Sequence, residues 1–373
     1  MMLLEAIELR HVRMQLRSPF ETSFGVEHDR DCIVVRLQSE DLVGWGECAA
    51  SYYPGYSYET IGTAWHVLSE FFIPAVLGQR VSDVNDFKAL LARFKGHNLA
   101  RAGLEMALWD LIGKASQVPL AHLLGGQRQS VSVGVSVGIK PDEGSLLKVV
   151  EDYMQTGYGR VKLKIKPGRE LRELQAVRRA FPDLKLQVDA NSAYSLQDVP
   201  VFVAMDSLNL LLIEQPLAED DLIDHSVLQQ SLKTPLCLDE SILSMRHARQ
   251  AIEIGACRVI NIKAGRVGGL AEALRIHDLC SERGVPVWCG GMLETGIGRA
   301  ANLALASLPG FTLPGDISAS DRYYAEDIAE PRFELNPDST IDVPQEPGLG
   351  VMVVEEALNS VTLRKESFSA KSD

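Results

Sequence analysis

From Arg160 to Ala264 the chain repeats one unit: RVKLKIK (160–166), KLQVDAN (185–191), LLLIEQP (210–216), PLCLDES (235–241) and RVINIKA (258–264). Each run is almost continuously aliphatic or β-branched and ends in a charged or amide side chain, and an amphipathic stretch separates it from the next. Strands of this kind belong to a parallel sheet covered on both faces. SVSVGVSVGI (130–139) precedes the series, and PVWCGGM (286–292) and, less clearly, FTLPGDIS (311–318) follow it, which makes eight strand candidates in β-then-α order. A closed α/β barrel and an open doubly wound sheet both fit this order. No GxGxxG follows the first strand, which weakens a dinucleotide-binding fold, and the regular period favours the barrel.

The strand ends carry the chemistry. Lys162 and Lys164 lie on the second run, Asp189 and Asn191 on the third, Glu214 on the fourth, Asp239 and Glu240 on the fifth, and Lys263 on the sixth. The steps 164 to 189, 189 to 214 and 214 to 239 are each 25 residues, and Lys263 follows 24 later. One βα unit per step brings these groups to one rim, and barrel enzymes work at the carboxyl-terminal rim. A single charge at a strand end is ordinarily solvated; five in register, set in apolar runs, need partners. Three carboxylates on adjacent strands repel one another unless a cation lies between them, and an oxygen-only set suits a hard divalent ion such as Mg²⁺. Lys162 and Lys164, two apart, point the same way, while Lys263 approaches from across the opening. A lysine near a cation and partly desolvated loses its preference for the ammonium form and can act as a base. The set predicts removal of a proton beside a substrate carboxylate, with the ion offsetting the charge of the enediolate.

Around this core, residues 1–126 read as an α+β module. AIELRHVRMQL (6–16) and DCIVVRLQSEDLVGWGE (31–47) have strand alternation. TIGTAWHVLSEFFIPAVLG (60–78), VNDFKALLARF (84–94) and ARAGLEMALWDLIGKASQ (100–117) have helical spacing. Residues 127–322 form the barrel. Residues 323–373 read as an irregular tail packing back on the first module, with one strand-like piece, GLGVMVVEE (348–356), and about eight disordered residues at its end. A net charge of −13 argues against nucleic acid or an acidic membrane as partner. No apolar run approaches the ~20 residues of a membrane span. The opening residues lack a signal-peptide core, so a cytoplasmic protein with reduced, buried cysteines is expected. The eight histidines form no HxxxH or HxH pattern, which leaves a histidine metal site without support.

KLKIK (162–166), VDANSAY (188–194), IEQPL (213–217), LDES (238–241), NIKAGRVGG (261–269) and GGMLETGIGRA (290–300), with SPFETSFG (18–25) near the start, together resemble the enolase superfamily. The resemblance is to its muconate-lactonizing subgroup, in the o-succinylbenzoate synthase and N-acylamino acid racemase family. It implies a (β/α)7β modified TIM barrel with an N-terminal α+β capping domain. Asp189, Glu214 and Asp239 are then ligands of Mg²⁺, for which Mn²⁺ or Co²⁺ can substitute. Lys164 and Lys263 become the acid/base pair, and Lys162 supports the substrate carboxylate. Two cap loops, 20–25 and 51–58, are expected to close over the site and bring Phe24 and Tyr56 to the substrate. Ser136, Asn191, Gly291, Met292 and Ile317 are candidates for the pocket wall, with Glu240 and Arg266 behind the ligands. Members are commonly homo-oligomers, dimers or octamers, acting on small carboxylates.

The departures narrow the choice. WCGGM offers no histidine at the seventh strand, unlike mandelate-type enzymes. Asp316-Ile317-Ser318 lacks the DxD with which dipeptide epimerases hold an amine. Arg266 matches the branch that includes racemases. The resemblance thus implies dehydration to o-succinylbenzoate in menaquinone biosynthesis, racemisation of N-succinyl- or other N-acylamino acids, or both. Muconate-type cycloisomerisation is the main rival. A Schiff-base lysine leaves three carboxylates unexplained, and a non-catalytic scaffold has no need of two lysines facing one ion.

Overall fold

A computed structural model describes residues 1–370. Seven parallel strands follow one another in chain order: Val135–Val137, Arg160–Lys164, Lys185–Asp189, Ile213–Glu214, Leu236–Leu238, Val259–Ile262 and Val287–Cys289. The chain from 311 to 316 closes the gap, bridging Val287 through Phe311 and Val133 through Gly315. Gly315 N donates to Ser132 O (3.0 Å), and Asp316 N to Cys289 O (2.9 Å). Pro314 has no N–H for a ladder, so this eighth member is a string of single bridges instead of a regular strand. The architecture is the (β/α)7β, TIM-barrel-like one, capped by an N-terminal domain.

The run 130–139 is split. Ser130–Ser132 pairs antiparallel with Thr340–Asp342, and only Val135–Val137 enters the barrel. The break falls at Gly134, where a side chain would overlap the Arg160 guanidinium.

Side chains two apart on a strand share a face, and this parity sorts the barrel into two interiors. Ile213, Leu236, Leu238, Ile260 and Ile262 face the surrounding helices in the main core. Leu212, Cys237, Val259 and Trp288 form a separate buried cluster, the floor of the lumen. Trp288 Nε1 donates to Cys237 Sγ across it at 3.2 Å. Two residues further along the first three of these strands stand Glu214, Asp239 and Asn261.

The cap is a four-stranded antiparallel sheet in the order Thr362–Ser369, Ala6–Thr22, Gly25–Ser39, Leu42–Cys48. The helix Asn98–Ser116 lies on its last strand at backbone contact, since a Cβ on Gly44 or Gly46 would strike the helix backbone at Ala107 or Gly103. The expectation of about eight disordered final residues is corrected here. Glu366 through Ser369 are a strand, paired with Leu9 through Ala6; residues 371–373 lie outside the described residues. Their polar composition concealed it, because the pairing draws on the open edge of Ala6–Thr22 and on Lys365–Glu8 and Trp65–Glu366 contacts. GLGVMVVEE is likewise mostly not strand: Met352–Val353 pairs with Ala329–Glu330, Gly348 makes a single bridge to Pro119, and a helix, Glu355–Val361, follows.

Cap and barrel are joined by a buried carboxylate. Glu47 accepts from Thr295 Oγ1 (2.6 Å), Thr295 N (3.1 Å) and Gly298 N (3.0 Å), the opening turn of the helix Gly296–Ala306. A carboxylate at a helix N-terminus satisfies orphan N–H groups and faces the positive end of the dipole.

Candidate active site

Parallel register sets the site. Lys164 lies directly opposite Asp189, and Asp189 opposite Glu214, so three charged groups form one row across three strands. Asp239 and Lys263 extend the row just beyond the ends of their strands, and Lys162 sits one level deeper, opposite Ser136 and Gln187. Asp189, Glu214 and Asp239 are at most 1% exposed.

The charges neutralise one another. Lys162 Nζ reaches Asp316 (2.5 Å), Glu214 (2.9 Å) and Asp189 (3.1 Å). Lys164 Nζ donates to Asp189 Oδ2 (2.6 Å) and Asn191 Oδ1 (2.7 Å). Lys263 Nζ donates to Asp239 Oδ2 (2.8 Å), whose other oxygen takes Arg266. Asn191 Nδ2 donates to Glu240 (2.8 Å) and Asn261 Nδ2 to Glu214 (2.8 Å). Arg160 and Ser136 both donate to Asp316. Lys164 and Lys263 thus stand at opposite ends of the carboxylate row, and Lys162 and Lys164 share Asp189.

This pairing sets the charges of the site. Burial opposes the ammonium of Lys162, but Asp316, Glu214 and Asp189 outweigh it and hold its pKa above the usual lysine value. Lys263 is likewise raised, burial being overcome by Tyr56, Glu214, Glu240 and Asp189. As the groups stand, these two lysines are firm cations. Burial would raise Asp189, yet Lys164 and Lys162 hold it well below the carboxylate range. Burial, then Asp189, lifts Glu214, and the same two causes push Glu240 up to about 7.

Lys162, Lys164, Lys263, Ser136, Asn191, Gly291, Met292, Phe24 and Tyr56 line one cavity of about 70 Å³ at the cap–barrel boundary. Tyr56 donates to Asp239 Oδ1 (2.9 Å). From the other cap loop, Ser23 Oγ donates to Asn191 O (3.2 Å). Glu240 and Arg266 line a neighbouring pocket of about 290 Å³, which Tyr56 and Asn191 separate from the first. Ile317 lines neither pocket; strand parity turns it into the main core and puts Asp316 in the lumen. Sequence reasoning missed Asp316, although two cations buried on the second strand, Arg160 and Lys162, called for a counter-charge. It also missed Arg30 and Glu27 of the cap, which line the same cavity.

Among the described residues no three acidic, histidine or cysteine side chains converge closely enough to enclose an ion as they stand, because cations occupy the carboxylate oxygens. The donor chemistry nevertheless fits a hard divalent ion: buried, oxygen-only, on adjacent strands. Beside the row, Glu240 Oε2 and Asn261 Oδ1 are buried acceptors without a partner.

The chain is similar to known proteins over both of its domains. Residues 5–125 match the mandelate racemase / muconate lactonizing enzyme N-terminal domain, and residues 145–357 the enolase C-terminal domain-like family. An o-succinylbenzoate synthase of Geobacillus kaustophilus is 51% identical over 93% of this chain and 92% of its own. An N-succinylamino acid racemase of Amycolatopsis is 50% identical over 98% of this chain and 99% of its own. A solved enolase-superfamily structure from Listeria innocua superposes with a TM-score of 0.95 at 40% identity, covering 99% of this chain and 100% of that one. Members of this superfamily are enzymes that use a divalent metal ion. With both of its domains matched and its lysines facing across a buried carboxylate row, the chain belongs to the enolase superfamily, in the mandelate racemase / muconate lactonizing enzyme group.

Proposed function

We propose that the protein removes the proton on the carbon beside a substrate carboxylate, acting as an N-succinylamino acid racemase and as an o-succinylbenzoate synthase. The observation that carries this reading is the placement of Lys164 and Lys263 at opposite ends of the row formed by Asp189, Glu214 and Asp239. Those carboxylates would hold Mg²⁺, with Mn²⁺ or Co²⁺ as substitutes. When bound, the ion would act as a Lewis acid toward the substrate carboxylate and draw the three side chains off the lysines.

Released from Asp189, the Lys164 amine is free to turn toward the α-carbon and act as a positioned base. In racemisation, one lysine takes the α-proton and the other delivers one to the opposite face. In dehydration, Lys164 takes the proton and returns it to the departing hydroxyl on the same side, while Lys263 stays cationic beside the enediolate. Lys162, held by Asp316 at the floor of the site, stays charged and steadies the substrate carboxylate. Asn191, Ser136, Gly291 and Met292 shape the wall. A cavity of about 70 Å³ is too small for such a substrate, so the loops 20–25 and 51–58 must open to admit it and close, with Phe24 and Tyr56, to exclude water.

The same reading divides the chain into a cap (1–126), a catalytic barrel (127–322) and a tail that returns to the cap (323–373). It places the protein in the cytoplasm as a homo-oligomer, dimer or octamer, acting on small carboxylates. Among the described residues no helix is long and apolar enough to cross a membrane.

Incubation with N-succinyl-phenylalanine and Mg²⁺ in D₂O, followed by NMR, tests it. Loss of the α-proton signal from both enantiomers, abolished by EDTA, is the expected result. A signal that persists from both would remove the racemase reading and leave dehydration, to be tried with the o-succinylbenzoate precursor.

A further inference from the structure

Four cations line the cavity that holds the lysine pair: Lys162, Lys164, Lys263 and Arg30. The three lysines are ion-paired at 3.1 Å or less. Arg30, on the cap strand Gly25–Ser39, is 3% exposed and makes no ion pair among the described residues. Its Nη atoms donate to neutral oxygens, the Ala49 carbonyl and the Ser51 hydroxyl, and its Nε has no partner. Burial opposes its cation, and Glu27, which lines the same cavity, and the buried Glu47 favour it through space, but neither carboxylate makes a salt bridge to it. A buried guanidinium whose donors touch no carboxylate keeps an unfilled preference for one. Its planar fork of donors matches a carboxylate better than any other common group.

We propose that Arg30 is the binding subsite for a second carboxylate of the substrate, the distal one of a succinyl-type acyl arm. The inference rests on the reading that the lysines work beside the first carboxylate. It assigns the two ends of one dianion to the two domains: the α-carboxylate to the barrel rim, the distal carboxylate to the cap. Arg30 also holds the root of the loop 51–58 through Ser51, so an anion arriving there bears on the same side chain that anchors the loop. The competing explanation is that Arg30 only ties down Ala49 and Ser51; in that case its loss weakens all ligands alike.

Binding calorimetry with N-succinylglycine and its neutral isostere N-butanoylglycine, with Mg²⁺ present, separates the two. Glycine derivatives are achiral, so turnover leaves them unchanged. The wild-type protein should bind the succinyl compound at least tenfold more tightly, and Arg30→Gln should lower that ratio at least tenfold. Arg30→Lys keeps the charge without the fork and should give an intermediate ratio; it carries the test if thermal melting shows the glutamine variant unfolded. Equal affinities in the wild type, or affinities that fall together in either variant, would overturn the proposal. Deuterium exchange on the same compounds reads the chemistry separately. An Arg30-dependent ratio without exchange would retain the subsite and remove the racemase reading.

Discussion

Lys263 Nζ stands 3.1 Å from the hydroxyl of Tyr56 and 4.3 Å from the centre of its ring, so a cap loop rests directly on a barrel lysine. The same hydroxyl donates to Asp239, so one loop residue touches both the lysine and a carboxylate of the row. Replacing Tyr56 by phenylalanine removes hydrogen bonds worth about 1 kcal/mol each. We expect kcat/KM for racemisation to fall about thirtyfold if both bonds act in the transition state. Tyr56→Ala also removes the ring over Lys263 and should cost more. Wild-type kinetics for Tyr56→Ala would dissociate the loop from the reaction.

Lys164→Ala and Lys263→Ala should each lower racemisation by about two to four orders of magnitude, the range of a positioned acid/base. Each variant should keep slow deuterium exchange on the one enantiomer whose proton faces the surviving lysine. Chiral separation of the labelled product distinguishes these outcomes. Equal residual exchange from both enantiomers in either variant is incompatible with a base on each face.

Metal binding should appear as stability. A ligand bound only by the folded state stabilises it by about 2.7 kcal/mol at a hundred times its Kd, so Mg²⁺ should raise Tm and EDTA reverse it. Glu214→Gln keeps the shape of a fully buried side chain while removing its charge. Its Tm should no longer respond to Mg²⁺. A response equal to wild type would take Glu214 out of the ligand set.

Glu47 supplies a pH dependence. Burial, reinforced by Glu294, pushes its pKa from 4.5 up to about 7, against the opposing bonds from Thr295 and Gly298. A carboxyl raised in the folded state contributes stability that is complete below pH 4.5 and lost as pH climbs through 7. The 2.5-unit difference (7 less 4.5) corresponds to about 3 kcal/mol. Urea denaturation between pH 4.5 and 7.5 should show this decline in the wild type and a flatter profile in Glu47→Gln. Parallel profiles would mean that the Thr295 and Gly298 bonds keep Glu47 ionised throughout.

The barrel and its charged rim were legible because period and parity are printed in the chain: Lys164, Asp189, Glu214 and Asp239 recur at one interval, and register delivers them to one row. What was hidden depends on contacts between distant segments. Asp316 lies in a stretch too irregular to read as a strand, so parity could not be assigned, and Ile317 was taken for its inward-facing neighbour. Arg30 sits in an ordinary alternating strand; only the packing of cap on barrel brings it into the cavity. The ion pairs of Lys162 with Asp316, Glu214 and Asp189 were hidden for the same reason, since they join side chains from separate strands.

The strand Thr362–Ser369 lies beside Ala6–Val12, so the cap is finished by residues at least 350 positions away from those they cover. During synthesis the first cap strands emerge with one edge bare, and they stay so until the whole barrel has left the ribosome. An uncovered edge is a template for pairing with other chains. The order of translation therefore makes the cap, and with it the loops 20–25 and 51–58, the last part of the molecule to mature. Premature termination anywhere after the barrel would yield the lysines and carboxylates in full, but on a molecule prone to aggregate by its exposed edge.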